Sequence, residues 1–197
     1  MVDFDVAKGL GFFGSLAVLL SIAALIFLGV LSLLISPILF LLGYILVLLS
    51  FYFLSKYYQH RGMFLYALTS LTLSFLGTLT LIYTLSPLVP EDFSGSRLAQ
   101  LTLLAVLGRI AIIVASALLW YKALITLYEK SGEPMIERAA FAYGIFAITS
   151  SLGLLTGAIS LISTFFQLIA FATFLLNWIF LTIGFYRLEE FGVGEEV

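Results

Sequence analysis

The chain has 197 residues, of which 62 % are hydrophobic and 10 % charged, and its formal net charge is −2. Soluble domains contain about 45–50 % apolar and about 25 % charged residues, so this composition excludes a water-soluble fold and predicts an all-α, polytopic membrane protein. The chain has no cysteine, which excludes disulfides and thiolate metal sites. It also has no basic run, so we expect the lipid bilayer and not a nucleic acid as its partner.

Six apolar helices are predicted in a single membrane domain that covers 1–197. A bilayer core about 30 Å thick needs about 20 apolar residues in a helix, and the uncharged stretches 9–55 and 139–186 are each long enough for two crossings. The first turn is predicted at Ser36 and Pro37, because serine caps helix N-termini and proline suits the first helical position. The fourth helix is predicted to continue as amphipathic turns to Glu129. The predicted spans are 11–35, 37–55, 63–85, 97–121, 135–157 and 164–186.

The distribution of basic residues predicts the direction of the six spans. Cytoplasmic flanks of membrane spans retain Lys and Arg, and with six spans and a cytoplasmic N-terminus only Arg97 falls outside. The sequence therefore predicts a protein of the cell membrane with both termini in the cytoplasm. The basic residues on the cytoplasmic side are Lys8, Lys56, Arg61, Lys122, Lys130, Arg138 and Arg187.

Two cytoplasmic connections resemble each other and suggest an internal repeat of two-helix hairpins. The segment 54–67 aligns with 124–139 after a two-residue insertion, with Tyr58 opposite Tyr128 and Gly62 opposite Gly132. Apolar sequences also match each other by chance, so a repeat and a coincidence both stay open. Repeats of this kind are common in transporters, where sites lie between the repeats.

The same connections carry a resemblance to a known family. The stretch 54–58 (Leu-Ser-Lys-Tyr-Tyr), the motifs Gly-Met-Phe at 62–64 and Ala-Leu at 67–68, and Gly-Glu-Pro-Met at 132–135 resemble a family of predicted multi-pass membrane proteins. That family is mainly archaeal and is a domain of unknown function. The resemblance implies a multi-pass topology over nearly the whole chain, and it implies no activity and no site residues.

The residues that carry most membrane chemistry are missing from the predicted spans. Apart from Glu137 at the start of the fifth, no Asp or Glu lies in them, which counts against proton relays and carboxylate ion sites, and the lone His60 lies in a connection. No motif of a hydrolase, phosphate loop or zinc helix is present. We therefore expect no enzymatic activity, no metal and no cofactor.

Arg109 is the exception, because it lies near the middle of the fourth predicted helix. A cation at that depth costs about 2.5–3.5 kcal/mol on insertion scales. It is either the fixed charge of an anion or polar-solute site, or a structural arginine bonded to backbone carbonyls or to Asn177. A third interpretation is a shifted fourth helix that brings Arg109 to the membrane surface.

Other polar and small residues in the spans allow either packing or a polar path. Asn177 and Gln167 in the last helix can hydrogen-bond between helices. A face of the third helix carries Ser70, Ser74, Gly77 and Thr78 at helical spacing, and the fifth helix carries Gly153 and Gly157. We predict a polar site at Arg109, Asn177, Ser70, Ser74 and Thr78, and close helix packing at Gly77, Gly153 and Gly157.

Two functions fit this sequence. The first is binding or transport of a small solute or anion through the helical bundle, with anionic lipid as a second candidate ligand because cytoplasmic cations attract headgroups. The alternative is a non-catalytic scaffold or subunit, whose small-residue faces bind another copy or other membrane proteins. The first function predicts that Arg109 and Asn177 converge on a wet cavity, and the second predicts a dry interior with an exposed Gly/Ser stripe.

Overall fold

The computed structural model describes residues 4–27, 31–85, 95–157 and 159–189, without the side chains of 33, 78–85 and 95–101. The described residues contain α-helices and no strands, which confirms the predicted all-α fold. The helices are α1 (Phe4–Phe27), α2 (Ser32–Tyr57), α3 (Arg61–Leu85), α4 (Gly95–Ser131), α5 (Pro134–Leu155) and α6 (Ser160–Arg187).

The connection between α1 and α2 lies earlier than the sequence predicted. Helix α2 begins at Ser32 and continues through Pro37, so the turn predicted at Ser36 and Pro37 was wrong. A proline in the first two turns removes one backbone hydrogen bond, and the apolar residues before it extend the helix all the same. The Ser36 hydroxyl does not cap α2; it donates to the Ser21 carbonyl of α1 at 2.8 Å.

The sequence between α4 and α5 contains residues that end one helix and begin the next. Gly132 has a φ of 68°, and its N–H donates to the Tyr128 carbonyl at 2.7 Å, as at a helix end closed by a left-handed glycine. Glu133 then caps α5 by accepting from the Met135 N–H at 3.1 Å, with Pro134 at the first helical position. Helix α4 therefore extends past the predicted Glu129 before the chain reverses.

The connection between α2 and α3 is tight and partly buried. Tyr58 follows the end of α2, and its N–H donates to the Leu54 carbonyl at 2.8 Å. Burial, together with the neighbouring Tyr57, raises the pKa of the Tyr58 phenol to about 12. The hydroxyl therefore stays protonated throughout the physiological pH range.

The six helices form a closed ring. Among the described residues, the backbones pack closely in six pairs: α1 on α2, α2 on α3, α3 on α4, α4 on α5, α5 on α6, and α6 back on α1. The contact of α1 with α2 is the most extensive and that of α2 with α3 the least. Neighbouring helices are antiparallel, so α2, α4 and α6 run parallel to one another.

Small residues at seven-residue spacing join α1 to α2. Ser50 donates to the Ala7 carbonyl at 2.7 Å at one end, and Ser36 donates to Ser21 at the other. Midway, a Cβ on Gly14 would lie 2.8 Å from the Gly43 carbonyl oxygen. Each step of seven residues along α1 is matched by seven along α2, which is the repeat of two helices that wind around each other with a left-handed supercoil.

Five of the described helices are long and apolar enough to cross a membrane. The sixth, α3, has 25 residues, and its side chains are described only as far as Gly77. Since α1 begins and α6 ends at the same end of the ring, the N- and C-terminal helix ends lie together. The five segments are Phe4–Phe27, Leu34–Tyr57, Thr102–Ser131, Pro134–Leu155 and Ser160–Arg187.

We predict that Gly14→Ala and Gly43→Ala each destabilise the protein by about 1–3 kcal/mol, because the added methyl group overpacks the contact between α1 and α2. The matched control is Gly144→Ala in α5, where a Cβ meets no atom within 4 Å. There the helix propensity of alanine should maintain or raise stability. Thermal unfolding in detergent, followed by circular dichroism, measures all three; equal melting temperatures would contradict the close contact.

Candidate functional site

The centre of the ring is filled by side chains from the three parallel helices. Residues recur at alternating spacings of four and three on each of them, the pattern of a coiled-coil seam, and all except the exposed Phe40 are buried or half-buried. This inner stripe runs from Phe40 to Leu54 on α2, from Ile113 to Leu127 on α4, and from Phe174 to Leu188 on α6. Its members are Phe40, Tyr44, Val47, Phe51 and Leu54; Ile113, Ala117, Trp120, Leu124 and Leu127; and Phe174, Trp178, Leu181, Phe185 and Leu188.

Aromatic rings bridge the gap between these helices. The Trp120 ring centroid lies 5.5 Å from that of Phe51 on α2 and 6.2 Å from that of Trp178 on α6. Tyr44 meets Trp178 edge-on at 5.1 Å, and Tyr143 of α5 lies 6.1 Å from Trp120. Rings at these separations attract one another, so aromatic contacts hold α2, α4 and α6 together where their backbones are far apart.

Asn177 lies in the same layer. Helices α5 and α6 pair with Ile136 against Gly184 and Phe146 against Phe174, and this register sets Asn177 level with Tyr143. We refer to Tyr44, Trp120, Tyr143, Asn177 and Trp178 as the aromatic layer.

Several polar atoms in the aromatic layer are buried without a hydrogen-bond partner. They are the indole Nε1 atoms of Trp120 and Trp178 and both amide atoms, Oδ1 and Nδ2, of Asn177. Asn177 and Trp178 are fully buried, and Trp120 is 3 % exposed. An unpaired buried polar group costs about 1–3 kcal/mol, so each of these groups calls for an explanation such as a bound water, ion or polar ligand.

Arg109 lies further along the axis than this layer. It is eleven residues before Trp120 on α4, a separation of about 16 Å at 1.5 Å rise per residue. It points away from the exposed stripe of Leu104, Leu107 and Leu118, because residues two positions from Leu107 lie on the opposite side of a helix. Arg109 is therefore half-buried on the inner side of α4, at a different depth from Asn177.

The residues of the predicted polar face of α3 have different surroundings. The Ser70 hydroxyl is buried and donates to the Ser116 carbonyl of α4 at 2.7 Å, so Ser70 joins two neighbouring helices. Ser74 is exposed. Thr78 belongs to α3, and its side chain lies outside the described residues. The described members of this face therefore lie at the contact between α3 and α4 and on the surface, apart from the aromatic layer.

The glycines predicted to pack have different surroundings. A Cβ on Gly153 would lie 2.6 Å from the Gln167 side chain, and one on Gly77 would lie 3.3 Å from Ile112. Both glycines thus face a neighbouring helix. Gly157 lies beyond the end of α5, in the turn, where the nearest atom to an added Cβ is the Leu154 carbonyl oxygen.

The aromatic layer offers hydrogen-bonding groups. It supplies two indole N–H donors, one carboxamide that donates two hydrogens and accepts at one oxygen, and the hydroxyls of Tyr44 and Tyr143, which donate and accept. Among the residues that the structure describes, no group of three or more His, Asp or Glu could hold a metal ion.

Comparisons with known proteins identify no relative. A scan against protein-family models, a search of curated proteins and a search of solved structures each give no match. The resemblance of the two connections to an uncharacterised membrane family stays a prediction.

The sequence analysis missed the two tryptophans and Tyr44 as members of the site. A signal was present, because Trp120 and Trp178 are the only tryptophans of the chain. Trp178 directly follows Asn177, the one carboxamide in the centre of α6. Tyrosine and tryptophan near helix ends usually mark the membrane interface, and that interpretation concealed the inward direction of Trp120.

We predict that Asn177→Leu leaves the ligand-free protein equally stable or raises its stability by about 1–3 kcal/mol, because the change removes two unpaired polar atoms. Thr173→Val is the control, since the buried Thr173 hydroxyl is satisfied by its own helix at 2.8 Å and its loss should have little effect. Thermal unfolding in detergent compares the two variants. A strongly destabilised Asn177→Leu variant would mean that the amide is satisfied in the folded protein.

Proposed function

We propose that this multi-pass membrane protein binds a small polar solute or anion at the aromatic layer and carries it across the cell membrane. The observation that carries the proposal is the fully buried Asn177, with both amide atoms unpaired, in a layer with two unpaired indole N–H groups. A polar residue inside a membrane bundle is a candidate for a substrate or ion path, and Asn177 makes no hydrogen bond to another helix that would explain it as packing.

The unpaired groups favour a ligand that accepts hydrogen bonds. Donors outnumber acceptors, since the two indoles and the carboxamide present four N–H bonds against a single amide oxygen. The surrounding rings exclude bulk water and leave little room. A small anion or a neutral solute with a carbonyl or hydroxyl oxygen matches this combination, and the lone amide oxygen favours a ligand with one hydrogen to donate.

Access from one side supports transport. Along the inner stripe of α2 and its neighbour on α6, exposure rises away from the layer, from zero at Val47 and Leu181 to 37 % at Phe40 and 46 % at Phe171. The side chains of Phe40 and Phe171 are therefore less covered toward the end that contains Arg109, as an access path from that side requires. A cation on the inner side of α4 raises the local concentration of anions there, and the aromatic rings would have to move before a solute could continue.

The scaffold alternative predicts a dry interior, which the filled centre of the ring matches, and an exposed Gly/Ser stripe, which is not seen in the described part of the chain. Its small-residue faces are occupied inside the bundle, because Gly14 meets Gly43 and Gly184 meets Ile136. Gly144 is open, but its exposed neighbours Ile145 and Ile148 are bulky. Close contact with another copy or another membrane subunit needs small residues in a row.

The orientation proposed from the sequence completes this function. The start of α1 and the end of α6 lie at the end of the ring that carries Lys56, Arg61 and Arg138, and these cations favour the cytoplasm. In that orientation Arg109 belongs to the outer half of the membrane, and the aromatic layer separates it from the cytoplasmic connections.

We predict that the ligand changes tryptophan fluorescence, since the only two tryptophans of the chain are both in the layer. Purified protein is titrated with chloride, nitrate, acetate, urea and glycerol, and we expect a saturable change with one of these classes. The change should disappear in Asn177→Leu and persist in Gln167→Leu, a substitution on the same helix at an exposed position. An emission that none of these solutes affects would favour the scaffold.

We further predict that Arg109→Gln weakens binding of an anionic ligand at least tenfold and leaves a neutral ligand unaffected, because the residue acts as a charge at a distance. Arg187→Gln removes an exposed cation at the opposite end of the bundle and serves as the control. Flux into proteoliposomes should follow the same order. Equal losses for anionic and neutral solutes would assign Arg109 a structural role instead.

A further inference from the structure

An open apolar groove follows the contact between α2 and α3, where the ring is held least extensively. The groove has two parts, and the part between α2 and α3 has a volume of about 340 Å³. A second part, of about 370 Å³, continues along α3 to Gly77 and shares Leu68 with the first. We refer to the two parts together as the α2–α3 groove. Its first part is lined by Ile45, Leu48, Leu49, Tyr52, Phe64 and Leu68.

Two cations lie beyond the end of the groove that is nearest the connection between α2 and α3. On α2, Lys56 follows Tyr52 by four residues, and its Nζ lies 4.3 Å from the centre of the Tyr52 ring. On α3, Arg61 precedes Phe64 by three residues. Because residues three and four apart share a helix face, both cations lie in line with the groove. Both are exposed, at the level of the connection between the two helices.

An apolar slot that ends in two cations is complementary to an anionic lipid. Tyr52 meets Phe64 edge-on at 5.3 Å across the groove. This aromatic pair lies between the aliphatic part of the groove and the two cations. Basic residues next to an intramembrane crevice attract anionic headgroups, and arginine binds phosphate in a bidentate manner. A soluble anion would use the cations and leave the groove empty.

We propose that the α2–α3 groove binds one anionic glycerophospholipid, with an acyl chain along Ile45, Leu49 and Leu68 and its phosphate between Lys56 and Arg61. The lipid completes the weakest contact of the ring and stabilises the folded bundle. This site is on the outer surface of the ring and is separate from the aromatic layer, so lipid binding here can be tested independently of solute binding.

The test measures thermal unfolding by circular dichroism in detergent, with added phosphatidylglycerol, phosphatidylcholine or glycerol 3-phosphate. We expect phosphatidylglycerol to raise Tm by about 5 °C, and phosphatidylcholine to raise it by less than half as much. The double variant Lys56→Gln/Arg61→Gln should lose the difference between the two lipids. The matched double variant Lys122→Gln/Arg138→Gln removes the same charge elsewhere and should retain it. Lys122 has its own ring contact, 5.0 Å from Tyr66.

A second pair of variants tests the acyl part of the groove. Leu68→Trp fills it and should reduce the rise in Tm from phosphatidylglycerol at least twofold, whereas Leu65→Trp, at an exposed position of α3 outside the groove, should not. Tm without lipid shows that each variant folds. Equal lipid effects in both double variants would overturn the proposal, as would a rise of the same size with glycerol 3-phosphate alone.

Discussion

Lipid offers neither hydrogen bonds nor a hydrophobic drive between helices, and the architecture of this protein follows from that constraint. Helices gain contact in a bilayer only where their backbones approach or where polar groups bond across them. The contact of α1 with α2 combines both, because Gly14 and Gly43 let the backbones meet while Ser36 and Ser50 donate to carbonyls of the facing helix. The α5–α6 pair resembles it, with Ser163 donating to the Gly153 carbonyl at 2.9 Å.

The parallel helices solve a different problem, because their backbones stay apart and the space between them must be filled. Large rings fill it at Phe51, Trp120 and Trp178. An indole that fills such a space also buries its N–H group, which then needs a hydrogen-bond partner. Phenylalanine would fill much of the same volume without an unpaired donor, so packing alone does not explain the choice of tryptophan and asparagine in this layer. A ligand that accepts from those groups, as proposed, would explain that choice.

Much of this architecture could be predicted from the sequence. Composition and uncharged length were sufficient for the all-α fold, and Gly132 and Pro134 located the connection between α4 and α5. Pro37 led to a wrong position for the first turn, because the local sequence does not distinguish a proline at the first position of a helix from one in its second turn. The matching seven-residue spacings of Ala7, Gly14 and Ser21 with Ser36, Gly43 and Ser50 were readable in principle, but only once the correct turn was known.

The site was harder to predict, because the hydropathy of a membrane helix hardly indicates which of its side chains face the centre of the bundle. Asn177 stood out as a polar residue among apolar ones, whereas Trp120 resembled an interfacial ring. Ser70 was grouped with a polar path and bonds to Ser116 instead. Depth along the axis, which separates Arg109 from Asn177, depends on the register between helices and therefore on the folded ring.

The parallel course of α2, α4 and α6 places three like helix ends at each mouth of the bundle. Each of these helices has a cation in its last turn, namely Lys56, Lys130 and Arg187, which matches the negative dipole end there. At the other mouth their positive ends, each equivalent to about half an elementary charge, alternate with the negative ends of α1, α3 and α5, because neighbouring helices are antiparallel. The helix dipoles therefore largely cancel at that mouth, and a preference for anions there would rest on the side chain of Arg109.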